Sequence, residues 1–570
     1  MRMIRKTRNR LLITGAFGFV TALSGLIVSF SRAAEPAVPP GALPPGHLLF
    51  ATSQHCIACH SKVHAPDGED ISIGYQWRAS IMANSSHDPY WHAGVRRETM
   101  DHPFAKAVIE DTCSTCHMPM QRFQAHAEGK NGEVLRYIDS IRSGKAYVEP
   151  EAELEAAADP KATLAADGVS CTVCHQIRPD NFGQESSFDG GFIIDVQKPP
   201  EERELFGRFD VDKGRVRAMH SVTGFTPTQA THLARAELCA GCHTLFTKSF
   251  DDRGNPAGTL PEQVPYHEWL HSDYSKTNTC QSCHMPKTAI DSPVTSVLGQ
   301  THPEVSRHVF VGGNAFLLRI LKDHKSELGV AAQPDELEAS AQRTETQLAN
   351  LTAKLEVRNA RLAQGRLNFD VNVTNLSGHK FPTAYPARRA WLHVTVRNAQ
   401  GAVVFESGAL RPDGSIVGND NDADGTKFEP HYTRIENPDQ VQIYESIMGD
   451  FANRVTTGLL FGTHYLKDNR LLPRGFDKAT APKEVAVVSP AAEDADFVGG
   501  SDSLTYSVPV ANANGALTVN VEMLFQSIGY RWAQNLRAYD APEPQRFVAL
   551  YQQHAQDSAK LIARATQAVN

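Results

Sequence analysis

Five short units in this chain pair two thiols with an imidazole at one fixed spacing. They are Cys56-x-x-Cys59-His60, Cys113-x-x-Cys116-His117, Cys171-x-x-Cys174-His175, Cys239-x-x-Cys242-His243 and Cys280-x-x-Cys283-His284. Thiols at this separation can each add to one vinyl group of a haem, and the histidine that follows is placed to bind the iron. The units use all 10 cysteines of the chain. A structural zinc site, a thioredoxin-like redox pair or a disulfide also uses two cysteines so spaced, but none needs a histidine directly after the second one, five times over. The pattern therefore implies five covalent c-type haems, with His60, His117, His175, His243 and His284 as proximal iron ligands.

The sixth position of each iron then decides the chemistry. A histidine or methionine there gives a low-spin centre suited to moving electrons; an open position can bind a small molecule. Of 24 histidines, 19 lie outside the motifs, so counting does not settle the distal ligands. Local context ranks Met82, in Trp77-Arg-Ala-Ser80-Ile-Met82-Ala83, then His220, His232, His308 just before Gly312-Gly313, and His379 in Ser377-Gly-His-Lys-Phe-Pro-Thr383. A core methionine or a hydrogen-bonded histidine is as common a use for each of these residues taken singly. His379 stands apart, because it lies in the strand-rich half; if it ligates, that half is docked on the haem-bearing one. A further candidate is a Ca2+ loop at Asp420, Asp422 and Asp424, ahead of Gly425. His431 occupies its twelfth position, so it is not an EF-hand, and a solvated acidic turn is the competing reading.

These residues need elements to position them. The expected fold class is α+β and multidomain: a mainly helical and loop-rich multihaem cytochrome c domain, then an antiparallel β-sandwich, then a C-terminal helix. Residues 1–33, with Arg2, Arg5, Lys6, Arg8 and Arg10 before an apolar run and Ser31-Arg-Ala33 after it, read as a signal peptide, with an N-terminal membrane anchor as the alternative. Residues 34–48 read as a proline-rich linker and 49–330 as the pentahaem domain. Proximal histidines 57, 58, 68 and 41 residues apart leave each haem only a few tens of residues, so the haems must share walls. A connecting helix is expected over 331–351. Over 352–530 the period-two alternation of Leu367, Phe369, Val371 and Val373 with polar residues argues for strands of a sandwich. Residues 531–570 read as a helical tail.

The motifs, the His-Met-Pro pairs at His117 and His284, and the phrases Asp167-Gly-Val-Ser-Cys171, Glu237-Leu-Cys239 and Cys280-Gln-Ser-Cys-His-Met-Pro286 resemble the multihaem cytochrome c family. That family includes the tetrahaem cytochrome of ammonia oxidisers and hydroxylamine-oxidoreductase-like cytochromes. The resemblance covers about residues 49–325. Its Trp-x-x-Ser-x-His-Ala phrase supplies a distal histidine; here the phrase ends in Met82-Ala83, so the resemblance implies methionine at that place. The C-terminal half looks like a β-rich extension of exported members, which implies architecture and not activity.

At 570 residues with a net charge of −8, the chain has no basic excess that would suit nucleic acid. The expected partners are other redox proteins or membrane-associated electron donors and acceptors, in the periplasm or otherwise outside the cytoplasm. The leading expectation is an exported electron-relay cytochrome. The alternatives are a multihaem oxidoreductase acting on a small nitrogen or sulfur compound at one open haem, and a haem-stacked structural conduit. None of the five motifs carries the lysine that marks nitrite-type reductases, which favours the carrier over the enzyme.

Overall fold

The computed structural model describes residues 48–143, 160–510 and 515–569. The signal or anchor segment and nearly all of the proline-rich linker lie outside them. Among the described residues, no helix is long and apolar enough to cross a membrane.

The haem-motif half is built from short helices joined by turns. The first long ones are α1 (Pro89–Asp101), opened by Asp88, whose carboxylate accepts from the backbone N–H groups of Tyr90 and Trp91, and α2 (Lys106–His117), which ends on the second motif. Short strand pairs interrupt the helices, the longest being β1 (Leu245–Phe250) and β2 (Pro256–Gln263), paired antiparallel directly after the fourth motif. A short helix, α3 (Pro265–Leu270), follows them. Then come α4 (Ala315–Asp323), with Phe316, Leu317, Ile320 and Leu321 buried, and α5 (Pro334–Leu351), which has proline in its first turn and a Gln333/Glu336 capping box.

The strand-rich half consists of two sheets. One has four strands in the order β6–β10–β4–β3, comprising Arg434–Ile435, Ser501–Pro509, Arg366–Asn375 and Ala353–Ala363. In the other, β5 (Arg389–Arg397) and β11 (Leu517–Gln526) are central, flanked by β7 (Ile443–Gly449) on one side and β12 (Ala559–Val569) on the other. Leu367, Phe369, Val371 and Val373 of β4 face Val394, Val396, Val519, Val521 and Met523 across one core, all essentially fully buried. Each such side chain contributes roughly 1.5–3 kcal/mol by leaving water. Phe369 also stacks on Tyr506 of the paired strand at 4.9 Å.

The chain end differs from the sequence expectation. Helix α6 (Pro542–His554) is followed by a turn and then by β12, an eleven-residue strand, and the helix does not continue to the terminus. β11 would otherwise be an open edge beside an apolar core, and pairing from Leu517↔Val569 to Gln526↔Ala559 covers it.

Buried ions lock the two halves together. Glu268 on α3 pairs with Arg470 at 2.8 Å, and its other oxygen accepts from the Lys380 backbone N–H at 3.1 Å and from Thr383 at 2.5 Å. Lys380 and Arg470 each bond Asp468 at 2.8 Å. The two cations and two carboxylates balance in charge, and all four side chains are at most 5% exposed.

A second buried network lies inside the sheets. Nδ1 of His431 accepts from Gln442 at 3.0 Å and Asn469 at 3.1 Å. The oxygens of both amides are held by the backbone N–H groups of Tyr432 and Glu445, which fixes the amide nitrogens toward the ring. Nε2 of His431 therefore carries the proton and donates to Asp494 at 3.0 Å. Asp502 accepts from the Tyr444 hydroxyl at 2.7 Å, and burial pushes its carboxyl up to about 7. Although ligand atoms of His431, Asp494 and Asp502 lie within 4.8 Å of one another, the protonated Nε2 makes this a proton-sharing network and not a cation site. Because Asp502 holds its proton in the fold up to about pH 7 while an unfolded aspartate releases it near pH 4, its burial costs stability increasingly as pH rises through that window. Asp502→Asn is expected to stabilise the protein at pH 8 by about 3 kcal/mol and by much less at pH 5, read from urea midpoints at the two pH values.

Candidate functional site

All five thiol–thiol–imidazole units open on one cavity of about 2670 Å3. Ordinary small-molecule pockets hold roughly 300–1,000 Å3, so this space is sized for several large groups at once. Its wall includes at least one cysteine and the histidine of every motif. The ten cysteines are free of disulfides. Among the described residues, the three potential ligand atoms that come within 4.8 Å of one another are those of His431, Asp494 and Asp502, none of them in a motif.

Neighbouring motifs touch through their thiols. Cys56 contacts Cys171, Cys239 contacts Cys280, and Cys242 contacts Cys116. Cys174 is close enough for its charge to be felt at both Cys239 and Cys242. The fourth motif thus sits at a junction: the third leads from it to the first, while the second and fifth branch off separately.

The histidines are set for metal binding by the tautomer that their surroundings impose. His60 donates from Nδ1 to the Val294 carbonyl at 2.8 Å, His117 to Ser85 at 3.2 Å, His175 to Phe206 at 2.6 Å and His284 to Val311 at 2.5 Å. A carbonyl only accepts, so each ring carries its proton on Nδ1 and leaves the Nε2 lone pair bare, the usual arrangement of an iron- or zinc-bound imidazole. Burial holds His117 and His243 down to about 4 and lowers His60 and His175, keeping these rings neutral at pH 7. Trp91 lies flat on the His117 ring, with centroids 4.4 Å apart and planes 3° apart, fixing its rotation.

Two of the distal candidates meet proximal rings. His308 faces His175 with centroids 6.3 Å apart and planes 11° apart; His379 faces His284 at 6.2 Å and 13°. Both newcomers direct Nδ1 at a carbonyl, Ser306 at 3.0 Å and Lys380 at 2.9 Å, so their Nε2 atoms are bare as well. The spacing is too long for stacked rings. It is about what two imidazoles bonded to one metal require, with two metal–nitrogen bonds of about 2.0 Å and the distance from each ring nitrogen to its centre. Gly378 eases the second pairing: a Cβ there would lie 3.3 Å from Tyr274, so the tyrosine would have to give way by a few tenths of an ångström.

The other candidates are placed differently. Met82 lines the cavity, with its carbonyl accepting from the Val169 N–H beside the third motif. His232 turns Nε2 to the Ile177 carbonyl at 2.8 Å, which occupies the nitrogen that iron would need. His220 sits in the last turn of the helix Lys213–Thr223, with Nδ1 3.4 Å from the Thr226 hydroxyl. Neither His220 nor His232 is among the residues lining the cavity. The carboxylates of the candidate Ca2+ loop are engaged within the protein. Asp422 is taken by Arg389 in a bidentate pair at 2.7 and 2.9 Å, and Asp424 caps the Thr426 turn. The three carboxylates do not converge.

No protein-family profile matches the chain, and no curated protein matches it. Among solved structures, it is similar to a penta-heme cytochrome c552 from Thermochromatium tepidum, at 15% identity and a TM-score of 0.48, over 91% of this chain and 98% of that one. A likeness at that level says nothing of a shared function.

Proposed function

We propose that this protein is an exported pentahaem c-type cytochrome that relays electrons between redox partners. The observation that carries the reading is that five thiol–thiol–imidazole units line one continuous cavity with the thiols of neighbouring units in contact. Haem bound there supplies one-electron exchange. The chain's own residues do the rest. The cysteine pairs anchor, the Nδ1–carbonyl bonds orient the rings, and His308 and His379 are placed to close the sixth positions opposite His175 and His284. A closed position suits electron transfer, because no small molecule can reach the iron. The apolar wall lowers the local dielectric, and contacts between neighbouring units remove the need for a diffusing carrier.

Magnetic-resonance spectra of the oxidised protein test the reading. At least two bis-histidine low-spin signals are expected, with His379→Ala and His308→Ala each converting one of them to a different species. If both variants leave the spectrum unchanged, neither ring is a ligand. Potentiometric titration should then resolve several one-electron steps; a protein that takes up no electrons between strongly reducing and oxidising limits would contradict the relay.

A further inference from the structure

Two histidines that do not line the cavity meet where two helices end. His324 caps the C-terminal end of α4, and His554 is the last residue of α6. Their Nε2 atoms face each other at 3.3 Å, and the ring planes stand 74° apart, so the rings do not stack. We propose that this pair holds a divalent transition-metal ion of the zinc class, with both Nε2 atoms as ligands, and that the ion pins α6 to α4.

The spacing fits an ion. Two nitrogens bonded to one tetrahedral metal at about 2.0–2.1 Å lie about 3.3–3.4 Å apart, which is the gap between these rings. The far side of each ring fits as well. Nδ1 of His324 stands 3.5 Å from Glu327, and Nδ1 of His554 stands 3.9 Å from Asp323. A carboxylate behind the ring favours the proton on Nδ1 and sends the Nε2 lone pair into the gap, as in metal-bound imidazoles backed by carboxylates. With nothing between them, two lone pairs would repel. A neutral ring donating from Nε2 would turn a bare Nδ1 toward its carboxylate. A ring protonated on both nitrogens would be cationic, which burial at His554 opposes, outweighing the pull of Asp323.

The surroundings hold the pair in place. α4 and α6 share one core, with Phe316 against Tyr551 at 5.7 Å, so both histidines sit on packed elements. The negative ends of two helix dipoles meet at the gap, which favours a cation. The neighbouring cations take the opposite oxygens of the two carboxylates: Lys322 meets Asp323 at 3.5 Å, and Arg142 and Arg546 meet Glu327 at 3.8 and 3.6 Å. They offset the carboxylate charge, so the attraction for an ion rests on the lone pairs and the helix ends. The side chains of His324 and His554 are 19% and 15% exposed, which lets water reach the ion and complete its coordination.

The test uses the full chain as purified, freed of loosely held metal with a chelator and titrated with zinc chloride by calorimetry. One saturable zinc per chain is expected, and the loaded protein should unfold at a higher temperature. His324→Ala and His554→Ala should each abolish both the binding and the rise in unfolding temperature. Asp323→Asn, behind the ring of His554, should weaken binding about tenfold. Where an alanine variant does not fold, the glutamine variant at the same position, closer to the ring in volume, gives the same reading. The proposal is overturned if the wild type takes up no saturable zinc, or if a folded variant lacking either histidine binds it as tightly as the wild type.

Discussion

Replacing Cys171 and Cys174 with alanine is expected to lower covalently bound haem from five to four per chain. Each thioether needs its own thiol, and no other cysteine is spare, since the motifs use all 10. The effect should reach further than one centre. The third motif is the link between the first and the fourth, through the contact of Cys171 with Cys56 and the nearness of Cys174 to Cys239 and Cys242. The first centre should therefore exchange electrons with the others far more slowly, while the second and fifth, joined through the fourth, keep their rates. Haem-to-protein ratio and stopped-flow reduction check the two statements. An unchanged ratio would show that this unit does not attach haem. The matching change at Cys280 and Cys283 should also cost one haem but leave the remaining four connected, because that motif is a branch end.

The second large effect concerns the joint between the halves. Asp468→Ala is expected to destabilise the protein by about 3–5 kcal/mol, because it strands Lys380 and Arg470 in a dry interior with one carboxylate, Glu268, between them. Both cations hold Asp468 well below the usual carboxylate range, against the opposing effect of burial. Its contribution is therefore fully present above about pH 4, where an unfolded aspartate is ionised, and is lost only as pH falls well below that. Between pH 5 and 8 the loss in the variant should be constant, which separates it from the effect of Asp502. The damage should also appear at the fifth motif. Lys380 neighbours His379, so loosening this network is expected to alter the signal assigned to the His284–His379 pair, whereas the His175–His308 pair should be unaffected.

The chemistry was more legible in the sequence than the architecture that holds it. Cysteine and histidine at fixed short spacing report a local requirement of the cofactor, so the five units could be read without knowing any fold. The alternation of Leu367, Phe369, Val371 and Val373 was legible for the same reason: one buried face is a local periodic demand, and these four residues line the sheet core. What stayed hidden depended on partners distant in sequence. The segment Ala559–Val569 holds four alanines, good helix formers, yet it pairs with β11 because that edge is available. The β1–β2 hairpin gave no clear alternation, and its antiparallel pairing directly after the fourth motif appears only in the fold. The Asp420–Asp424 run left a cation loop and an acidic turn both open, because Arg389, which pairs with Asp422, lies over thirty residues earlier. Among distal candidates, the sequence ranked His232 beside His379; only the carbonyl opposite each ring nitrogen separates them.

The whole account depends on iron-porphyrin being attached at every one of these units. Intact-mass analysis of the mature, denatured chain measures this directly, because thioether bonds survive unfolding while ligated metal and loosely held cofactor do not. Five porphyrin additions per polypeptide are expected, each mapping to a peptide that contains one of the motifs. A chain with the mass of its amino acids alone, or with its cysteines free to react with a thiol reagent, would contradict the account.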